Sequence, residues 1–142
     1  MRKYKFRGKR VDNGAWVYGD LIENQGRYFI YHATSETTIE DNDDRKITII
    51  AVKVESGTVG QFTGLPDKNG KEIYVGDIVR NKKGTIDVIT YDSLAFALCV
   101  AYATSPNGVC STFFGNNNPL KDLEVIGNIH DNPELLKGAS NE

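Results

Sequence analysis

Leu94-Ala95-Phe96-Ala97-Leu98-Cys99-Val100-Ala101-Tyr102-Ala103 is the stretch on which the fold class turns. Its alanines favour helix by intrinsic propensity. Its order favours a strand. Every large side chain (Leu94, Phe96, Leu98, Val100, Tyr102) stands at an even position, and every small one (Ala95, Ala97, Cys99, Ala101, Ala103) at an odd one. A period of two in size arises when one face of a strand fills a core and the other lies against a close neighbour.

The flanking sequence repeats the β pattern. Before this stretch, residues 78–81 and 85–91 (TIDVITY) read as strands joined by a Lys83-Gly84 turn. After it, Pro106-Asn107-Gly108 turns the chain into a returning strand at 110–114, and residues 115–119 form a loop. Residues 123–129 (LEVIGNI) read as the last strand, with Leu123, Val125 and Ile129 on one face. Asp131 or Asn132 as cap, Pro133 in the first turn and Glu134 near the positive end of the dipole then predict a short terminal helix.

The amino-terminal half has the same habit. In residues 3–8 (KYKFRG) basic and aromatic side chains alternate. As a strand, Arg2, Tyr4 and Phe6 lie on one face and Lys3, Lys5, Arg7 and Lys9 on the other. Asn13-Gly14 is a two-residue turn signal leading to residues 15–22, and Gln25-Gly26 leads to residues 27–32. The three pieces predict a small antiparallel meander with Trp16, Tyr18, Phe29 and Tyr31 available for packing. Residues 34–46 are a polar, acidic loop, while residues 46–54 (KITIIAVKV) suit a well-covered strand. Pro66-Asp67-Lys68-Asn69-Gly70 is dense turn chemistry, and a domain junction is expected beside it. The expected division is residues 1–72 and 73–142, all-β in both parts apart from the short helix.

Composition narrows the function. Of 142 residues 39% are apolar and 10% aromatic, which is enough for a core and too much for a disordered chain. No stretch approaches 18 uncharged apolar residues, so no transmembrane helix is expected. The basic opening has no apolar run behind it, so a cytoplasmic protein without a signal peptide is expected. Net charge is −2, made of +1 over residues 1–73 and −3 over residues 74–142.

The motifs exclude more than they indicate. Gly64 to Lys71 resembles a phosphate-binding loop only loosely. Five residues separate its glycines instead of four, and Glu72 replaces the Ser/Thr that would hold Mg²⁺. Neither Asp67–Gly70 nor Asp41-Asn42-Asp43-Asp44 has the Gly and bidentate Glu spacing of a calcium loop. Cys99, Cys110, His32 and His130 lack the paired spacing of a zinc site, and the cysteines read as reduced, buried thiols, with a hairpin disulfide between them as the alternative. No nucleophile stands in a recognised catalytic setting, so no catalytic, cofactor-binding or metal-binding residue is predicted. Nucleic-acid binding has a sharper candidate set: Arg2, Lys5, Arg7 and Arg27, beside Tyr4, Phe6, Tyr28 and Tyr31.

Three stretches carry a family likeness: Lys5-Phe6-Arg7, the run from Val59 through Gly64-Leu65-Pro66-Asp67-Lys68-Asn69-Gly70-Lys71-Glu72 to Val79, and the run from Val125 through Gly127-Asn128-Ile129-His130-Asp131-Asn132-Pro133 to Leu136. Together they resemble the YopX family of phage and prophage proteins over nearly the whole chain, departing at Pro66 and Val75 where Lys and Glu are expected. The resemblance implies a β-rich amino-terminal region, a carboxy-terminal SH3-like barrel and a home in a phage or prophage of a Gram-positive-type host. It carries no assigned catalytic residue. In physical terms Gly64, Gly70 and Gly76 permit tight turns, Asp67 and Asn69 bond their own backbone, and Asp77 starts a strand. The expected function is a non-enzymatic accessory protein that binds a protein partner of host or phage, or self-associates. Nucleic-acid binding through the basic first strand is the alternative; no cofactor or membrane partner is expected.

Overall fold

Residues 5–31, 51–92, 97–102, 110–113 and 122–139 are described by the structure, a computed structural model. Every strand pairing among them is antiparallel, and one short helix follows the last strand, so the chain is all-β as its periodicity predicts. It divides into two compact units between Gln61 and Phe62, where the sequence pattern set the division after Glu72.

The amino-terminal unit is a meander of β1 (Phe6–Lys9), β2 (Trp16–Asn24), β3 (Arg27–Tyr31) and β4 (Val52–Val54). Gln25 and Gly26, with φ of 54° and 75°, make the two-residue turn between β2 and β3. The Asn13-Gly14 signal works differently. Its loop spans residues 11–14, closed by hydrogen bonds from Arg10 N–H to the Ala15 carbonyl and from Gly14 N–H to the Arg10 carbonyl. Asn13 Oδ1 accepts the Ala15 N–H at 2.9 Å, so the asparagine fixes the loop's exit instead of forming its tip.

The meander closes on itself. Beyond β1, Arg10 bridges to Val54, Val11 N–H donates to the Lys53 carbonyl, and Glu55 N–H donates to the Lys9 carbonyl. Thr58, in a 3-10 turn after β4, adds a side-chain tie: its Oγ1 accepts the Lys9 N–H and donates to the Glu55 carbonyl. These bonds join the fourth strand to the end of the first and make a small barrel without a free edge there. Val17, Ile30 and Val54 fill it, with Phe6, Leu21, Tyr28 and Val59 packed around them. Gly8 points at Val54 so closely that a Cβ on it would lie 2.9 Å from the Val54 Cβ. Trp16, Tyr18, Phe29 and Tyr31, expected as packing residues, alternate with the core positions and so face outward. Residues 46–50 of the expected fourth strand lie outside the described residues.

β5 (Gly60–Pro66) was hidden by its turn-type residues. Its first two residues pair with β1, and Phe62 and Pro66 pair with β6 (Glu72–Tyr74) across a register shift. Gly64, expected in a tight turn, sits in that irregular strand with φ 87°.

In the carboxy-terminal unit, β7 (Asp77–Arg80), β8 (Ile86–Asp92), β9 (Ala97–Tyr102) and β10 (Cys110–Phe113) form a meander, and β11 (Glu124–Asn128) returns to pair with β7. β9 settles the stretch that decides the fold class over residues 97–102; residues 94–96 and 103 lie outside the described residues. In register, Cys110 stands opposite Ala101 and Cys99 opposite Phe113. Ile73, Val79, Ile89 and Leu123 make the core, with Leu65, Val75 and Val125 against it. Ile129 does not join Leu123 and Val125: a bulge between Val125 and Gly127 breaks the alternation and leaves it exposed.

Candidate functional site

The long motif between β5 and β7 is first a piece of construction. Asp67 is buried; its Oδ1 accepts the N–H groups of Asn69 and Lys71, and its Oδ2 accepts that of Val125 at 3.0 Å. Burial pushes this carboxyl up, but the three backbone donors and the charge of Lys71 hold it below the usual carboxylate range. Lys68 N–H donates to the Leu123 carbonyl, so the turn is laced to both ends of the entry to β11. Gly76, at φ 97°, gives its N–H to the Ile89 carbonyl and takes the N–H of Ile129. Asp77 Oδ2 accepts the Tyr74 N–H at 2.8 Å and pins the start of β7.

The terminal motif does the same work after β11. Asn128 Oδ1 accepts the N–H groups of His130 and Asp131, and Asn132 Oδ1 accepts the Asn128 N–H. Asn132 thus turns back onto the strand, where its side chain fills the space above Gly127; a Cβ on Gly127 would lie 2.6 Å from the Asn132 Oδ1. Asp131 likewise takes the Asn128 Nδ2. These residues shape the turn before α1 (Glu134–Ala139), a role beyond the simple helix cap that their types suggest.

The arrangement with chemistry to offer another molecule is the outward face of the amino-terminal barrel. Alternation along β1 puts Phe6 and Gly8 on the core side and Lys5, Arg7 and Lys9 on the opposite one, as the sequence predicts, although Arg7 is buried there. Across β2 these cations meet rings. Lys5 Nζ lies 6.0 Å from the Tyr18 ring centre, the Arg7 guanidinium 4.7 Å from that of Trp16, and Lys9 Nζ 5.5 Å from that of Trp16. Such contacts favour a cation over an aromatic face. The same face continues through Ile22, whose register partner is Phe29, and Phe29 in turn pairs with Lys53. Tyr18 and Ile22 are 41% and 39% exposed, and Arg27 and Lys53 are exposed beside them.

The predicted nucleic-acid set is only partly assembled here. Lys5 is on this face, and Arg27 is at the exposed start of β3. Arg7 is 6% exposed, buried with its guanidinium on Trp16, which takes it out of reach of a phosphate at the surface. Phe6 and Tyr28 are half-buried and pack against the core, away from this face. Arg2, Tyr4 and His32 lie outside the described residues. The pattern missed Trp16, Tyr18, Ile22 and Phe29 as face residues; the signal that could have found them is their parity against Val17 and Ile30.

A family model described as YopX protein matches residues 5–137. No curated protein matches the chain. Among solved structures, the crystal structure of protein EF1440 from Enterococcus faecalis is similar, at 21% identity and a TM-score of 0.57 over 96% of this chain and 99% of that one. At that identity the likeness concerns the fold. No helix among the described residues is long and apolar enough to cross a membrane.

Proposed function

We propose that this chain, which belongs to the YopX family, is a non-enzymatic phage or prophage accessory protein that works in the host cytoplasm by binding another protein. The observation that carries the proposal is the outward face of the amino-terminal barrel, where exposed Tyr18 and Ile22 share a surface with Lys53 and Arg27. Aromatic side chains and arginine beside an apolar centre are enriched at protein interfaces, with other charges left to the rim. The carboxy-terminal unit fits an SH3-like barrel in its connectivity, a meander whose fifth strand returns to the first, though fold alone assigns no partner. Self-association through the same face is the homotypic form of the proposal.

The test is affinity capture from host cells with the wild type and with a Tyr18→Glu/Ile22→Glu variant, alongside light scattering of both. A specific partner, or a larger assembly, that the wild type retains and the variant loses supports the proposal. Equal capture by both, or recovery of the bait alone with a monomer in solution, contradicts it.

Single-stranded nucleic acid is a second reading, favoured by Lys5 over the ring of Tyr18 and Lys9 over that of Trp16. Oligonucleotide binding that falls by orders of magnitude between about 50 and 200 mM salt would establish it. No binding at the lower salt removes it.

A further inference from the structure

The described carboxylates in the carboxy-terminal core are treated unequally. Asp67 has three backbone donors and Asp77 has the Tyr74 N–H. Asp87 is buried as deeply, 5% exposed, yet its Oδ1 has no hydrogen-bond partner. Its position explains this. On β8 it shares the inward side with Ile89, and its register partner on β7 is the fully buried Val79. A buried carboxylate oxygen without a donor disfavours the ionised form, and taking up a proton relieves that cost.

We propose that Asp87 makes the carboxy-terminal unit proton-sensitive: protonated, it fits the core beside Val79 and Ile89, and ionised, it loosens the β7–β8–β9 sheet. Among the described residues, the neighbouring ionisable groups offer no cation to offset its charge. From β7 the inward group is Asp77, itself a carboxylate, while Arg80 is exposed and bonded to Glu124. Tyr102 is the register partner on β9. On β6, Tyr74 donates its hydroxyl to Glu72, and on β11, Glu124 is held by Arg80 and Lys68. β5 has no ionisable residue. Desolvation accordingly pushes the Asp87 carboxyl above the usual range.

The sign follows from linkage. With its folded value raised above the unfolded one, Asp87 gives stability that is fully present below the unfolded value and is lost as pH rises through the folded value. Two measurements test this in the full chain. In an NMR titration, the Asp87 carboxyl carbon should report a midpoint above about 3.9, the ordinary aspartate value; a midpoint at or below it overturns the proposal. In thermal unfolding from pH 4 to 8, Asp87→Asn should melt near the wild type at the acid end and increasingly above it as pH rises. A difference that stays constant with pH, or a variant that melts lower at neutral pH, also overturns it.

Discussion

Asp67 joins two parts of the chain that are 58 residues apart, because the carboxylate that ties its own turn also takes the Val125 N–H. Its replacement by alanine leaves those backbone donors without an acceptor, and an expected loss of about 2–4 kcal/mol should appear as a lower urea midpoint. The pH dependence has the opposite sign to that of Asp87. Asp67 is held below its usual range, so its contribution is present above the unfolded value and is lost as pH falls through the folded one. Acid unfolding should therefore be shallower in Asp67→Asn than in the wild type below about pH 4; identical slopes would contradict the assignment. The sequence shows that Asp67 bonds its own turn, since Asp-x-Asn-Gly is local turn chemistry. Its partner in β11 has no local signature, and the orphaned oxygen of Asp87 has none either.

Among elements, the meander of β1 to β3 and the period-two strand at β9 were legible because alternation and turn residues are short-range signals. β5 was not. Its glycines at 60 and 64 and its Pro66 are turn-type residues, and only pairing with β1 and β6 makes them a strand. Which face of the meander is inside was also misread, because aromatics were matched to the core while Val17, Ile30 and Val54 occupy it. Two substitutions examine the barrel directly. Gly8→Ala forces a Cβ against Val54 and should lower stability by about 1–3 kcal/mol, as overpacking does. Gln25→Asn should raise the melting temperature, since it relieves part of the roughly 1–2 kcal/mol that left-handed geometry costs an ordinary residue. A neutral Gly8→Ala would mean that the β1–β4 closure is looser than drawn.

For the whole molecule, the all-β character and the terminal helix could be read from the sequence, and the family likeness extends over both units. The candidate face could be read only in part. Alternation placed Lys5, Arg7 and Lys9 together, but the rings that meet them come from β2, and their outward direction depends on which neighbours fill the barrel. Hydroxyl-radical footprinting of the protein, alone and with the partner it captures, examines that face most directly. Rapid labelling of Tyr18 and Ile22 in the free protein, slow labelling of Ile30 and Tyr74, and shielding of Tyr18 on binding are the predicted results. Tyr18 labelled equally with and without partner, while protection falls elsewhere, would contradict the account.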